Sequence, residues 1–315
     1  MEWIVSRLSS FGPGKLGVAA IVVAVFLLSL SDVLVKDAGE RFGLGQIVFL
    51  RSLVAGVVIA GAVMAVSNEK RFSPMRPAWV WARSLCLTAM WFCYYAALPS
   101  MSLSLAAACY YSSPAWMALL ARFVLKEEVN GLHWVAIMLT LSGVLLVTNP
   151  AVGNLPPATV LPLIAAFFYA LAAIITRSRC RDEAPAIMAL NLNITLVFTS
   201  GIFIIGLALF AQVGTESFVS AVWPTLRLED WLLATLLGLL LAVIATAVAQ
   251  SYRLAPTPVV GVFDNAYLLF AALWSAALFD EMPTIREAGG MTLIVAGAIL
   301  VTWKKPSSDA MIADD

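Results

Sequence analysis

The sequence predicts an all-α integral membrane protein of ten transmembrane helices, built from two inverted five-helix repeats. Three observations predict it. Hydrophobic residues make up 62% of the 315 and charged residues only 12%, against roughly 25% charge in ordinary soluble domains, and the mean hydropathy is +0.93. Apolar runs of about 20 residues, the length that crosses a bilayer, recur along the whole chain. Finally, the stretch 106–148, AAACYYSSPAWMALLARFVLKEEVNGLHWVAIMLTLSGVLLVT, returns without a gap 154 positions later as VGVFDNAYLLFAALWSAALFDEMPTIREAGGMTLIVAGAILVT. Glu127 then meets Glu281, Gly143 meets Gly297, and Thr148 meets Thr302. A fixed-period repeat constrains the architecture before any single residue does.

Taken in order, the spans fall at about 16–36, 44–66, 78–98, 102–123, 131–149, 157–177, 185–210, 231–252, 257–279 and 287–304. SDVLVK (Ser31–Lys36) closes the first and Arg51 lies in the second. YYAALPSMSLSLAAA joins the third to the fourth, and Pro114 interrupts the fourth, where a lost backbone bond marks a kink beside a cavity. LKEE follows it, and the fifth and tenth spans are plain apolar stretches with a late glycine. The longest connection, about 211–230, holds Gly214 and Pro224, and the polar tail PSSDAMIADD (306–315) reads as disordered. The first run is long enough to span and is not followed by a small-residue cleavage site.

Lys and Arg set the orientation. With the N-terminus cytoplasmic, the inside segments hold Arg7, Lys15, Lys70, Arg71, Arg76, Arg122, Lys126, Arg177, Arg179, Arg181, Arg253, Lys304 and Lys305, and the outside segments only Lys36, Arg41, Arg227 and Arg286. Both termini are expected inside. Five spans per half is odd, so the second repeat (151–305) must be inverted relative to the first (1–150). SDVLVK then pairs with AAIITR (Ala172–Arg177), and GQIVFLR (Gly45–Arg51) with PAIMALN (Pro185–Asn191), at a shorter offset than the late spans.

These segments in this order resemble the drug/metabolite transporter superfamily, specifically its ten-helix EamA-type members, over nearly the whole chain. The resemblance implies a secondary transporter with a central cavity and cytoplasmic termini in the inner (plasma) membrane. It implies no single substrate, because the family carries amino acids, vitamins, nucleoside-like cofactors, metallophores and drugs.

Ionisable residues inside a bilayer cost a few kcal/mol and so need a partner or a purpose. Asp264, well inside the ninth span, reads as a proton-coupling or substrate-cation site, or as a buried acid with no transport role. Arg51 reads as a carboxylate anchor, since its guanidinium fork binds carboxylate bidentately, or as a structural ion pair with Asp32. Asn191 is its neutral partner in the second repeat. Asp32 is the second coupling candidate. Lys36, four residues on, reads as a snorkelling cation at a helix end, and Arg83 likewise. Trp91, Tyr95, Tyr110, Tyr111, Asn265 and Tyr267 complete the candidate substrate site, the aromatics as a stacking cage for a planar or cationic molecule. Tyr94 and Tyr95, near a span end, read equally as an interfacial belt. Glu127 and Glu281 read as closing a short turn, and Gly143 and Gly297 as close packing.

Net charge is zero, and one histidine (His133) with four scattered cysteines (Cys86, Cys93, Cys109, Cys180) offers no metal-ligand spacing, disulfide framework or catalytic constellation. Nucleic acid, a cofactor and an enzyme acting on a lipid-linked substrate are therefore disfavoured, and a channel is the remaining alternative to a carrier. The expected partners are a small-molecule substrate, the lipid bilayer and a second copy in a homodimer, and the fifth and tenth spans are expected to pack peripherally or at a dimer contact.

Overall fold

The structure is a computed structural model that describes residues 13–66, 74–126, 131–148, 157–210, 217–255 and 257–302. Its elements are α1 (Pro13–Ala38), α2 (Leu44–Val66), α3 (Pro77–Ala97), α4 (Leu103–Tyr110), α5 (Ser113–Val124), α6 (Gly131–Thr148), α7 (Val160–Arg179), α8 (Pro185–Phe210), α9 (Leu228–Leu254), α10 (Thr257–Asp264), α11 (Ala266–Phe279) and α12 (Ile285–Thr302). No strand occurs among the described residues. α1, α2, α7, α8 and α9 are each long and apolar enough to cross a membrane. Glu127 and the tail 306–315 lie outside the described residues, as does the side chain of His133.

Helix ends follow local chemistry. Pro77 opens α3 at a position where its missing N–H costs nothing. Ser102 caps α4 by accepting from Leu105 N at 3.2 Å. Asp230 accepts from Arg227 N at 2.9 Å at the start of α9, and Thr284 and Glu287 form a reciprocal capping box on α12. Glu183 does this from a distance, its two oxygens accepting from Met75 N and Arg76 N ahead of α3.

The fourth expected span is two helices, α4 and α5, separated at Tyr111 and Ser112 with Pro114 in the first turn of α5. The ninth span, read from sequence as continuous, is also two helices, α10 and α11, broken at Asn265. Tyr111 and Asn265 are 154 positions apart, the offset of the sequence repeat. The two non-glycine residues with positive φ among the described residues obey the same offset: Lys126 (φ 57) and Asp280 (φ 54). Both follow the second half of a broken helix, so the chain adopts a left-handed turn at equivalent places without glycine.

Packing pairs the helices across the chain. The most extensive contacts join α6 to α12, α3 to α7, α1 to α9 and α2 to α8; α10 and α11 then lie on α1, and α4 and α5 on α7. The α6–α12 crossing is close because it is lined with glycine. A Cβ on Gly143 would sit 2.6 Å from the Gly290 carbonyl oxygen, and one on Gly297 2.9 Å from that of Ala136. These spans pack on each other, as their late glycines suggest.

Candidate functional site

The helices α1, α2, α3, α4 and α11 converge on a buried polar network. Its centre is Asp32, 2% exposed. Tyr267 of α11 donates to Asp32 Oδ2 at 2.5 Å, and Tyr95 of α3 donates to Oδ1 at 3.4 Å. Tyr95 in turn accepts from Arg51 Nη1. Because Tyr267 spends its proton on Asp32, the 2.9 Å bond between the Tyr94 and Tyr267 hydroxyls has Tyr94 as donor. The two buried charges thus communicate through one phenol rather than by direct contact. That arrangement keeps each compensated in a medium where an unpaired charge is costly.

Arg51, 1% exposed, is held by its faces and left open at its edge. Its Cζ lies 4.4 Å from the Trp91 ring centre and 4.5 Å from that of Tyr95, a cation–π arrangement on two rings. Nε and Nη2 are buried and have no hydrogen-bond partner. These are adjacent in-plane donors, the half of a guanidinium fork that matches a carboxylate or phosphate. α9 lies close to α2 at this turn because Gly238 faces it: a Cβ there would be 2.8 Å from the Arg51 carbonyl oxygen.

A tyrosine ladder continues from the network to the two helix breaks. Tyr111 stacks on Tyr267 (ring centres 5.4 Å, planes at 22°), Tyr110 contacts Tyr94 at 5.3 Å, and Tyr169 of α7 contacts Tyr110 at 5.5 Å. Tyr111 also donates its hydroxyl to the backbone carbonyl of Asp264 at 3.1 Å. A helix end leaves such carbonyls without an intrahelical partner, and here the other broken helix supplies one. Asn265 is buried at the same break.

The structure therefore brings together Arg51, Trp91, Tyr95, Tyr110, Tyr111, Tyr267 and Asp32, with Asp264 and Asn265 at the edge of the group. Asn191 stands apart: its Oδ1 accepts from Ser84 Oγ at 2.7 Å, tying α8 to α3. Four readings are corrected. Tyr94 and Tyr95 are buried, 3% and 0% exposed, and form no interfacial belt; their hydroxyls belong to the network. Lys36 does not snorkel: its Nζ bonds both Glu281 oxygens, at 2.9 and 2.7 Å. Arg83 is tied to Thr176 Oγ1 at 2.9 Å instead of reaching for an interface. Arg51 makes no direct pair with Asp32. Tyr169 and Ser29, whose Oγ accepts from Trp274 Nε1 at 3.1 Å, escaped the sequence reading. Neither carries charge nor belongs to a quoted motif, so no signal marked them. All four cysteines are free.

Apolar helices enclosing a charged and aromatic centre define a multi-pass membrane protein. Residues 15–149 match the EamA-like transporter family. Relatives of the chain are named as exporters and transporters. It is 22% identical to the pseudopaline exporter CntI of Pseudomonas aeruginosa over 92% of this chain and 98% of that one. It is 24% identical to a riboflavin transporter of Vibrio cholerae over 62% of each chain, and 27% identical to a riboflavin transporter of Rhizobium johnstonii over 66% of this chain and 64% of that one. A solved crystal structure shares the fold, with a TM-score of 0.62 and 17% identity over 92% of this chain and 96% of that one.

Proposed function

We propose that the chain is a secondary active transporter that moves a small polar or amphipathic organic metabolite (amino-acid-, vitamin- or cofactor-like) by alternating access. The observation that carries this reading is the pair of helix breaks, at Tyr111–Ser112 and Asn265, which meet through the Tyr111–Asp264 bond beside the Arg51–Tyr95–Asp32 network. Discontinuous helices expose backbone polar groups at mid-membrane, and such groups are tolerated where they line a substrate cavity.

Two inverted repeats, 1–150 and 151–305, underlie the mechanism. Exchange of the first five spans with the last five turns α1 on α9 into α7 on α3, and α10 and α11 on α1 into α4 and α5 on α7. The pairs α2 with α8 and α6 with α12 map onto themselves. This invariance supports a two-fold relation in the membrane plane, as do the offset-matched breaks and left-handed turns. Rocking of one repeat against the other opens the centre alternately to each side. Both termini are cytoplasmic and the protein resides in the inner membrane, with the Lys and Arg distribution as the argument.

In this reading Arg51 anchors an acidic group of the substrate, and Trp91, Tyr95, Tyr110, Tyr111 and Tyr267 stack or hydrogen-bond the remainder. Asn265 supplies an amide at the break, and Asp264 and Asp32 are the groups that gain and lose the coupling proton. Asn191 contributes indirectly, through Ser84. The names of the relatives, a pseudopaline exporter and riboflavin transporters, support an organic metabolite as cargo. The test is a thermal-shift screen of purified protein against metabolites, followed by counterflow of the stabilising compound in proteoliposomes. Saturable counterflow is the expected result. Flux that never saturates would replace the carrier with a channel.

A further inference from the structure

A cavity of about 640 Å³ lies at the end of α1, lined by Lys36, Asp37, Glu40, Phe42, Pro99 and Phe279 among others. None of its lining residues belongs to the Asp32 network. Lys36 connects the two regions. On α1, Ser29, Asp32 and Lys36 follow a helical spacing that puts them on one face, and all three bond residues of α11 or its C-terminal turn: Trp274, Tyr267 and Glu281.

The Lys36–Glu281 pair is lopsided. The Lys36 side chain is 9% exposed and Glu281 37%. Nζ also sits 4.3 Å from the centre of the Phe279 ring, whereas Glu281 is steadied by Ser275 Oγ at 3.3 Å. Withdrawal of Glu281 toward solvent therefore costs little desolvation and leaves a buried ammonium uncompensated, the expensive half of a broken pair. Such an ammonium captures the next carboxylate-like group to arrive. Deeper in the protein, Arg51 Nε and Nη2 are buried donors without a hydrogen-bond partner.

We propose that Lys36 is an anion-binding station between this cavity and Arg51, and that Glu281 is a built-in competitor which holds Lys36 until a small organic anion displaces it. This rests on the carrier reading above for its purpose, but not for its test.

The test is chemical labelling of purified protein in detergent, with Cys86, Cys93, Cys109 and Cys180 changed to Ser and Ser217→Cys, on the exposed wall of the same cavity, as the reporter. The probes are an anionic reagent, 2-sulfonatoethyl methanethiosulfonate, and a cationic one of similar size, 2-(trimethylammonio)ethyl methanethiosulfonate. Glu281→Gln should accelerate the sulfonate reagent on the order of 10-fold or more, with little change for the cationic one, as local charge focuses an oppositely charged reactant. Adding Lys36→Gln should abolish the preference, and adding Lys36→Arg should retain it, which separates an anion site from general loosening. Equal acceleration of both reagents overturns the proposal, as does no acceleration in Glu281→Gln or a preference that survives Lys36→Gln. Labelling involves no transport, so failed counterflow would remove the carrier reading while these rates still decide the anion station.

Discussion

Tyr111 and Asp264 join two interrupted helices: the phenol at the end of α4 donates to the carbonyl at the end of α10 at 3.1 Å. Each break frees backbone groups that a bilayer cannot solvate, and one break meets part of the other's need. The Tyr111 ring also stacks on Tyr267, which holds Asp32. A shift at either break is thereby felt at the buried charges.

Tyr111→Phe keeps the stack and removes the bond. The expected loss of stability is about 1–3 kcal/mol, the cost of a buried acceptor left unpaired, read by thermal unfolding in detergent. An unchanged transition would mean that the Asp264 carbonyl finds another donor.

Arg51→Gln should destabilise by roughly 3–5 kcal/mol, because Asp32 then stays buried without a cation. Adding Asp32→Asn should return much of that loss, and a double-mutant cycle measures the coupling. If the two single losses simply add, the Tyr95 bridge does not link the charges. Arg51→Lys should retain most of the stability but lose the thermal shift given by an acidic ligand, since an ammonium lacks the fork.

Asp264→Asn should abolish proton-driven accumulation while leaving substrate exchange largely intact, measured in proteoliposomes with and without an imposed pH gradient. A proton-coupled site needs a group that loses and regains a proton as the cavity changes sides. Asp32→Asn is the companion variant. Uphill accumulation that survives in Asp264→Asn but not in Asp32→Asn transfers the coupling role to the Arg51-linked acid.

Single cysteines at Asn130 and Thr284, in a cysteine-free background, should label from opposite faces of the membrane. Labelling from the same face would contradict inverted repeats, whatever the transport assays give.

Gly143→Leu should prevent α6 and α12 from approaching, since even its Cβ would lie 2.6 Å from the Gly290 carbonyl oxygen. The obstacle is backbone and cannot rotate away. Substitution at Gly61, where no atom lies within 4 Å of a Cβ, is the control and should leave the unfolding profile within about 0.5 kcal/mol of the parent.

Every helix in the described residues lies within a few positions of a span read from sequence, and α2 and α8 match at both ends. That legibility has a physical source: a helix in hydrocarbon must be apolar for its full length, so composition alone marks it. The break in the fourth span was legible through Pro114. The break at Asn265 was not, because Pro258 lies too far upstream to mark it.

The sequence by itself determined the membrane class, the positions of the apolar helices, the 154-residue repeat and the rarity of buried charge, since each is a property of order and composition. It also marked Arg51 and Asp32, because intramembrane charge stands out against an apolar background. Only the tertiary structure decided their partners. Tyr95 looked equally suited to an interface, and Lys36 to snorkelling, since one sequence position near a span end serves either purpose. The choice between lipid headgroups and a buried hydroxyl network depends on which helix packs opposite, and the groups that settle it for Tyr94 and Lys36, Tyr267 and Glu281, lie 173 and 245 positions away in the chain.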